Sequence, residues 1–581
     1  MRPFDTGTSS SDRSVLRLLR PGRRAAASLV AAIAAATVLP LAAPQVTRRF
    51  VDDAIGGASI RHLTLIAAGY LGLAVAGQAA RMVTAWLASR LAWDGTNRLR
   101  ERLAGHALGL DMDYHGRHTP GEMIERVDGD VVAVADFVVA FLLDVVASAL
   151  LLAGVVAVVF GVDWRIGCAL LAYCLLVGLG MARAQRLAVP SGARSRAANA
   201  VLFGTVEERL AGVEDIRANG AGEHAVNRFH RAAAAVYRAE NRDARVGTTV
   251  LAGTSVAFAA GTAIMLGLAA WAMDAGTLTV GTAVLLFQYT LMVRAPFERL
   301  LDQIRQYQAA LAGLARIGDL LAERRTLAPG SRPLPAYGPL ELRLDGVGFS
   351  YPGDGDDERV LSGVTVTLAP GETLGLVGRT GSGKTTLARL VLRLYDPSEG
   401  TVRVGGVDLR TADPASVRRR IGVVTQDVQL FAASVRDNLT LFRPSPGDDR
   451  LRAALDGVGL GDWLAGLPDG LDTELRNVSG GEAQLIAFAR AFLADPGLVV
   501  LDEPSSRLDP ATERRIEHSV GRLLDGRTGV IIAHRLSSLS RVDKIAVLDQ
   551  GKVIEYGRRA DLAADPGSRF RRLLDLAGVG R

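Results

Sequence analysis

Cysteine is nearly absent. The 581 residues hold two, Cys168 and Cys174. Both lie in one apolar run, and their spacing fits no metal-ligand pattern. A cysteine-built metal centre is therefore excluded, and the pair reads as small apolar filler. Aromatics are scarce at 5%, and no aromatic motif marks a cargo. Charge is missing from long stretches before about residue 320, whereas beyond it the chain alternates as a soluble α/β domain does. The chain is 49% hydrophobic with mean hydropathy +0.21. That is apolar for a soluble protein, and the length suffices for two or more domains.

Six uncharged runs approach or reach the length that spans a bilayer: Ala25–Val46, Leu63–Ala80, Val145–Val162, Ile166–Ala182, Val246–Met273 and Ala275–Val293. Any one run alone reads as a buried core helix, but six in half a chain read as membrane spans. Phe137–Leu143 extends the short third run. Pro40 and Pro44 sit inside the first, where a membrane helix can absorb the break. A basic start makes a cleaved leader the alternative for that run. Its length, alanine content and lack of a clear processing site favour a retained helix.

Arginines set the orientation. They precede the first run (Arg13 to Arg24) and fill the connections between the second and third runs (Arg98 to Arg126) and between the fourth and fifth (Arg183 to Arg217). The other connections are short: Thr47–His62, Asp163–Arg165 and Asp274. The positive-inside rule places the N-terminus, both long loops and everything after the sixth run in the cytoplasm. The same arginines explain the net charge of +6 without nucleic-acid binding. The loop segments "GEMIERVDGD" (Gly121–Asp130) and "GVEDIRANGAGEHAVNRF" (Gly212–Phe229) are polar and helical in pattern. Each is expected to end either in a short transverse helix touching a cytoplasmic domain or in a solvated hairpin.

The expected fold class is multidomain: an all-α six-helix transmembrane domain, then an α/β P-loop domain. The boundaries are 1–24 for a cytoplasmic segment, 25–322 for the membrane domain, 323–340 for a Pro/Gly-rich linker and 341–581 for the soluble domain. Strands are expected at Leu374–Val377, Leu498–Leu501 and Val530–Ala533.

"GRTGSGKTT" (Gly378–Thr386) follows the strand "TLGLV" and opens the helix "TTLARLVLRLY". Gly378, Gly383, Lys384 and Thr385 fit G-x-x-x-x-G-K-[ST] in the strand–helix context that this phosphate loop requires. Its glycines let backbone N–H groups wrap phosphates at a helix start. Thr380, Gly381, Ser382 and Thr386 complete the loop. Lys384 is assigned to the β/γ-phosphates and the Thr385 hydroxyl to Mg²⁺. The strand "LVVLDEP" ends in Asp502, placed for the Mg²⁺ shell, and Glu503, which can polarise a water. "VIIAHRL" puts His534 at another strand end as a candidate γ-phosphate sensor.

These residues together resemble an ATP-binding cassette, and the chain resembles an ABC exporter half-transporter over nearly its whole length. The resemblance implies ATP and Mg²⁺ as ligands. It implies adenine stacking by Tyr351 in "GFSYP", Mg²⁺ sensing by Gln426 in "VVTQDVQLF", and an interface loop at Ser506–Asp509. It also implies a signature at Ser479, Gly480 and Gly481 that faces the other chain's ATP in a head-to-tail dimer. Ser479-x-x-Glu482 is at the same time a capping box. The family's usual residues are Leu where this chain has Val478, Gln where it has Glu482 and a basic residue where it has Ala483. The segment before the signature is short and lacks the acidic loop motif. A Glu482 facing the γ-phosphate would repel it.

The expected function is ATP-driven export of a hydrophobic or amphipathic small molecule, peptide or lipid. An ATP-gated regulatory or channel-like protein and an importer on the same fold are the alternatives. Asp144, Gln78, Gln288 and Tyr289 are polar residues that can face a cavity. The intact P-loop beside an altered signature points to a heterodimer with a second half-transporter rather than a homodimer. High Ala, Arg and Gly suggest a GC-rich bacterial genome and a plasma-membrane location.

Overall fold

The structure is a computed structural model that describes residues 22–352, 359–444, 446–476, 478–502, 510–533 and 536–576. Glu503, Ser506–Asp509 and His534 lie outside the described residues. The chain divides into two compact units, residues 1–108 with 120–323, and residues 109–119 with 324–581.

The first unit is helical. Its elements are α1 (Arg23–Ile55), α2 (Ile60–Leu108), α4 (Pro120–Val162), α5 (Trp164–Ala211), α6 (Val213–Ala218), α7 (Gly222–Asp274), α8 (Val280–Met292) and α9 (Arg294–Ala322); α3 (Met112–Arg117) belongs to the second unit. Among the described residues six helical stretches are long and apolar enough to cross a membrane, the sixth, Val280–Leu300, running through α8 into the start of α9. Most run well past the apolar stretches, through polar residues of high helix propensity, and α5 does so even across Pro190. Pro40 and Pro44 stay inside α1. The Tyr289 hydroxyl of α8 donates to the Leu41 carbonyl in that stretch (2.6 Å). Tyr289, expected to be free for a cavity, is fully buried by this contact.

Two expectations are corrected here. The sixth span does not begin at Ala275: residues 275–279 form a turn with Gly276 at φ 68°. Thr279 then caps α8 by accepting from Thr282 N (3.2 Å). Asp52 of α1 accepts from Gly281 N and from the Thr279 hydroxyl, both at 2.9 Å. A Cβ on Gly281 would collide with the Arg48 carbonyl. The short helix of the first long loop is α3, ahead of the predicted segment; Gly121–Asp130 instead opens α4 and contains a π-turn at Glu125–Gly129. The corresponding short helix of the second long loop, α6, falls within the predicted segment.

Helices α4 and α9 meet along a ladder of side chains. Asp130, 1% exposed, accepts from Arg316 Nε (2.9 Å) and pairs with a second guanidinium nitrogen. Gly313 leaves room for it: a Cβ there would lie 3.2 Å from the Asp130 carbonyl.

The second unit carries two sheets. Strands β1 (Leu342–Phe349), β2 (Leu361–Leu368), β4 (Glu399–Val404) and β5 (Val407–Asp408) form an antiparallel sheet in the order β2-β1-β4-β5. The larger sheet has the order β10-β9-β3-β8-β7-β6, formed by β3 (Thr373–Gly378), β6 (Ile421–Val424), β7 (Leu498–Asp502), β8 (Thr528–Ile532), β9 (Lys544–Asp549) and β10 (Lys552–Arg558). All its pairings are parallel except that of β10 with β9. Its central strands are buried on both faces, which explains their unbroken Val, Leu and Ile runs. One apolar cluster covers each side.

Residues 109–119 join this unit. The Asp111 carboxylate accepts from Thr326 N (2.5 Å), Leu327 N (3.0 Å) and the Thr326 hydroxyl (3.1 Å).

Candidate nucleotide site

Parallel strands bring their C-terminal ends to one edge, where open α/β sheets bind ligands. Gly378 ends β3, Asp502 ends β7, and Gln426 follows β6. In the sheet β8 lies between β3 and β7, and β6 lies beside β7. His534 and Glu503, which follow β8 and β7 in sequence, lie outside the described residues.

The loop after β3 turns through Gly381 (φ 80°) and Gly383 (φ 101°), values that disfavour any side chain, and enters α10 (Lys384–Val391). A Cβ on Gly378 would strike the Leu548 carbonyl and approach the Ser382 hydroxyl at 2.6 Å. Lys384 is 6% exposed, and its ammonium donates to the carbonyls of Gly378 (2.7 Å) and Arg379 (3.0 Å). The lysine thus holds the loop's acceptors inward at a helix start whose free N–H groups attract anions. The Ser382 hydroxyl is buried and, among the described residues, has no hydrogen-bond partner. An orphaned hydroxyl inside a glycine cradle fits a phosphate. Thr380 and Gly381 are exposed on the loop and Thr385 in the first turn of α10, while Thr386 is buried with its Oγ1 3.0 Å from the Tyr351 hydroxyl.

Helix α10 is shorter than the expected "TTLARLVLRLY". It stops at Val391 because Arg393 adopts φ 50° and buries its guanidinium against the carbonyls of Ala328, Arg410 and Ala412. Tyr351 is half-buried. Its ring meets Phe349 and Tyr395 edge-on (centroids 4.9 and 5.3 Å), and its hydroxyl also accepts from Arg389 (3.0 Å). Tyr395 and Arg389 were not singled out from the sequence, because nothing local marks residues about forty positions on as neighbours of Tyr351.

Ser479 caps α11 (Gly480–Ala494), and the capping box is complete. The Ser479 hydroxyl accepts from Glu482 N (3.3 Å) and donates to Glu482 Oε2 (2.7 Å), which also accepts from Ser479 N (2.9 Å). Glu482 therefore turns back on its own helix start, and Ser479's hydrogen is already committed. Val478 packs on the apolar core. The two glycines differ. A Cβ on Gly481 would come within 2.5 Å of Thr512 Cγ2, on α12 (Pro510–Leu524), whereas one on Gly480 meets nothing within 4 Å. Helix α11 is tied to the loop after β6. Gln484 Nε2 donates to Thr425 O (3.4 Å), and Arg490 donates to Gln429 O (3.1 Å) and Asn438 O (2.6 Å). Burial pushes the Arg490 guanidinium below its ordinary value.

This difference makes a pair of alanine variants informative. Gly481→Ala is expected to destabilise the soluble unit by about 1–3 kcal/mol through overpacking, read as a lower Tm. Gly480→Ala should leave the unfolding free energy within about 0.5 kcal/mol of the parent and instead slow hydrolysis. Equal stability losses in the two variants would contradict the assignment.

Residues 27–297 match the family model described as ABC transporter transmembrane region, and residues 361–506 the model described as ABC transporter. The chain is 33% identical over 492 residues to an ATP-dependent lipid A-core flippase of Thiobacillus denitrificans, covering 83% of each chain. It is 32% identical over 553 residues to a multidrug efflux ATP-binding/permease protein of Mycobacterium bovis, covering 94% of this chain and 45% of that one. A solved structure of a bacterial Atm1-family ABC exporter with ATP bound superposes with TM-score 0.78 at 24% identity, covering 96% and 98% of the two chains, and shares the fold. The glycine-rich loop after β3, the strand-end geometry around it and the six apolar helices therefore sit in a chain that belongs to the ABC transporter superfamily, as an exporter-type, ATP-hydrolysing member with membrane and nucleotide-binding domains in one polypeptide.

Proposed function

We propose that this chain uses ATP to export a hydrophobic or amphipathic small molecule, peptide or lipid, as one half of a heterodimer. The domain limits are 25–322 and 341–581, and the N-terminus and soluble domain are cytoplasmic. The basic connections around the spans support that orientation.

The roles at the site follow from chemistry. Gly378, Thr380, Gly381, Ser382, Gly383, Lys384, Thr385 and Thr386 hold the phosphates, and Tyr351 the adenine. Thr385, Asp502 and Gln426 present oxygens that would hold Mg²⁺, a hard cation, which would supply neutralisation of phosphate charge there. Glu503 positions and deprotonates the attacking water, His534 contacts the γ-phosphate, and Asp509 lies at the interface with the other chain. Ser479, Gly480 and Gly481 face the other chain's ATP.

The observation that carries the heterodimer is the hydrogen bond from the Ser479 hydroxyl to Glu482. A signature so engaged, with a carboxylate at the helix start, is a poor partner for a phosphate. In a homodimer both sites would carry this defect. In a heterodimer one site would be spared, because a partner's signature would face this chain's P-loop.

The test is expression of the chain alone and with whatever half-transporter a neighbouring gene encodes. The complex should purify as a 1:1 dimer, with ATPase at least about tenfold above the chain alone. A stable dimer of this chain with full substrate-stimulated ATPase, unchanged by the neighbour, would sink the heterodimer. Vigorous ion conduction without ATP turnover would favour the gating alternative.

A further inference from the structure

An ionisable residue inside a membrane span is costly and marks a functional position unless it is fully paired. Asp144 is such a residue. It lies in α4, eighteen positions from Val162, or about 27 Å along the helix. That places it near the edge of a hydrocarbon layer about 30 Å thick. It is half-buried and sits in a π-turn, Phe141–Val146, an irregularity often found at functional positions.

Its neighbour across the α4–α9 ladder is Gln303, which is 6% exposed. Gln303 Nε2 donates to Asp144 Oδ2 (3.0 Å), while Gln303 Oε1, though buried, has no hydrogen-bond partner among the described residues. A buried amide oxygen without a donor costs about 1–3 kcal/mol. The atom left wholly unpartnered here is an acceptor, the Gln303 amide oxygen, beside a carboxylate that can accept further bonds.

The next rung is aromatic. Phe137 meets Tyr307 of α9 (centroids 5.4 Å) and Phe141 (5.7 Å). Phe141 and Tyr307 are 42% and 49% exposed. Positions 137, 141 and 144 share one helix face, as do 303 and 307. Acceptors beside exposed ring faces at the rim of the hydrocarbon match one chemistry. A protonated amine supplies the missing N–H donors, its charge suits the carboxylate and the aromatic faces, and an attached chain lies in the apolar layer.

We propose that Asp144 and Gln303, with Phe137, Phe141 and Tyr307, form a binding site for the ammonium head of a cationic amphipath. This names the cargo class within the export reading, on which it rests. Asp144 and Gln303 are the donor-seeking groups, and the rings hold the head and the first carbons of the chain.

The experiment uses the purified full-length transporter in nanodiscs of neutral phosphatidylcholine, with empty discs subtracted. Radiolabelled dodecylammonium, dodecyl sulfate and dodecanol are the probes, and binding is measured at equilibrium without nucleotide. The parent should bind the ammonium about tenfold or more tighter than the sulfate or the alcohol. Asp144→Asn should abolish that preference, Asp144→Glu should keep most of it, and Tyr307→Leu should weaken ammonium binding a few-fold. If Asp144→Asn does not fold, the Tyr307→Leu result and the parent's selectivity decide. No selectivity in a parent that hydrolyses ATP overturns this inference alone. An Asp144→Asn variant that keeps the preference overturns it too, as does one that merely loses its dimer on size exclusion. Ammonium binding without any ATP hydrolysis would uphold the site and remove the export reading.

Discussion

Glu503→Gln is expected to bind ATP as tightly as the parent and to hydrolyse it about 100- to 10,000-fold more slowly, the range that a positioned general base contributes. Gln keeps the shape and one acceptor oxygen but cannot take a proton from water. Glu503 directly follows Asp502 at the end of β7, next to the strand that leads to His534. ATPase and retained nucleotide should be measured on the same preparation. A complex that keeps ATP without cleaving it identifies Glu503 as the hydrolytic group. Turnover within a few-fold of the parent would reassign that role.

Lys384→Ala is expected to act one step earlier, on binding. A charge-assisted contact to phosphate contributes about 1.5–3 kcal/mol, and more when water is excluded. ATP affinity should therefore fall at least about tenfold. The structure adds a second cost. Lys384 Nζ donates to the Gly378 and Arg379 carbonyls, so its removal also frees the loop that shapes the cradle. Lys384→Arg should restore charge but not shape, since a planar guanidinium cannot replace a compact ammonium in a site 6% exposed. Equilibrium dialysis with labelled ATP distinguishes the variants. An unchanged dissociation constant for Lys384→Ala would show that the phosphates lie elsewhere.

The site was legible where chemistry is local in sequence. Gly381 and Gly383 need positive φ, Lys384 must follow at once, and a strand must precede them. All three constraints fall within twelve residues. The Ser479–Glu482 box was legible for the same reason, and its closure settles which way Glu482 turns. The membrane helices were legible as apolar runs, but their ends were not. Helix α2 runs to Leu108 and α7 starts at Gly222, the continuation past the membrane that the long, helical-patterned polar loops imply, but nothing in those loops marks the terminal residue. The turn before α8 hid inside an uncharged run, because Gly276 and Thr279 break a helix without adding charge. Long-range partners stayed invisible altogether. Nothing local couples Asp144 to Gln303, Asp130 to Arg316, or Asp111 to Thr326, pairs separated by 159, 186 and 215 positions.

The last of these pairs governs the order in which the chain can be finished. Residues 109–119 emerge from the ribosome more than two hundred residues before Thr326 and Leu327, whose N–H groups Asp111 accepts. At about 5–20 residues per second this wait is on the order of ten seconds or more. Through that interval the segment has no partner from its own unit. A soluble domain expressed from residue 324 onward would never receive it, and the two backbone donors would stay with water.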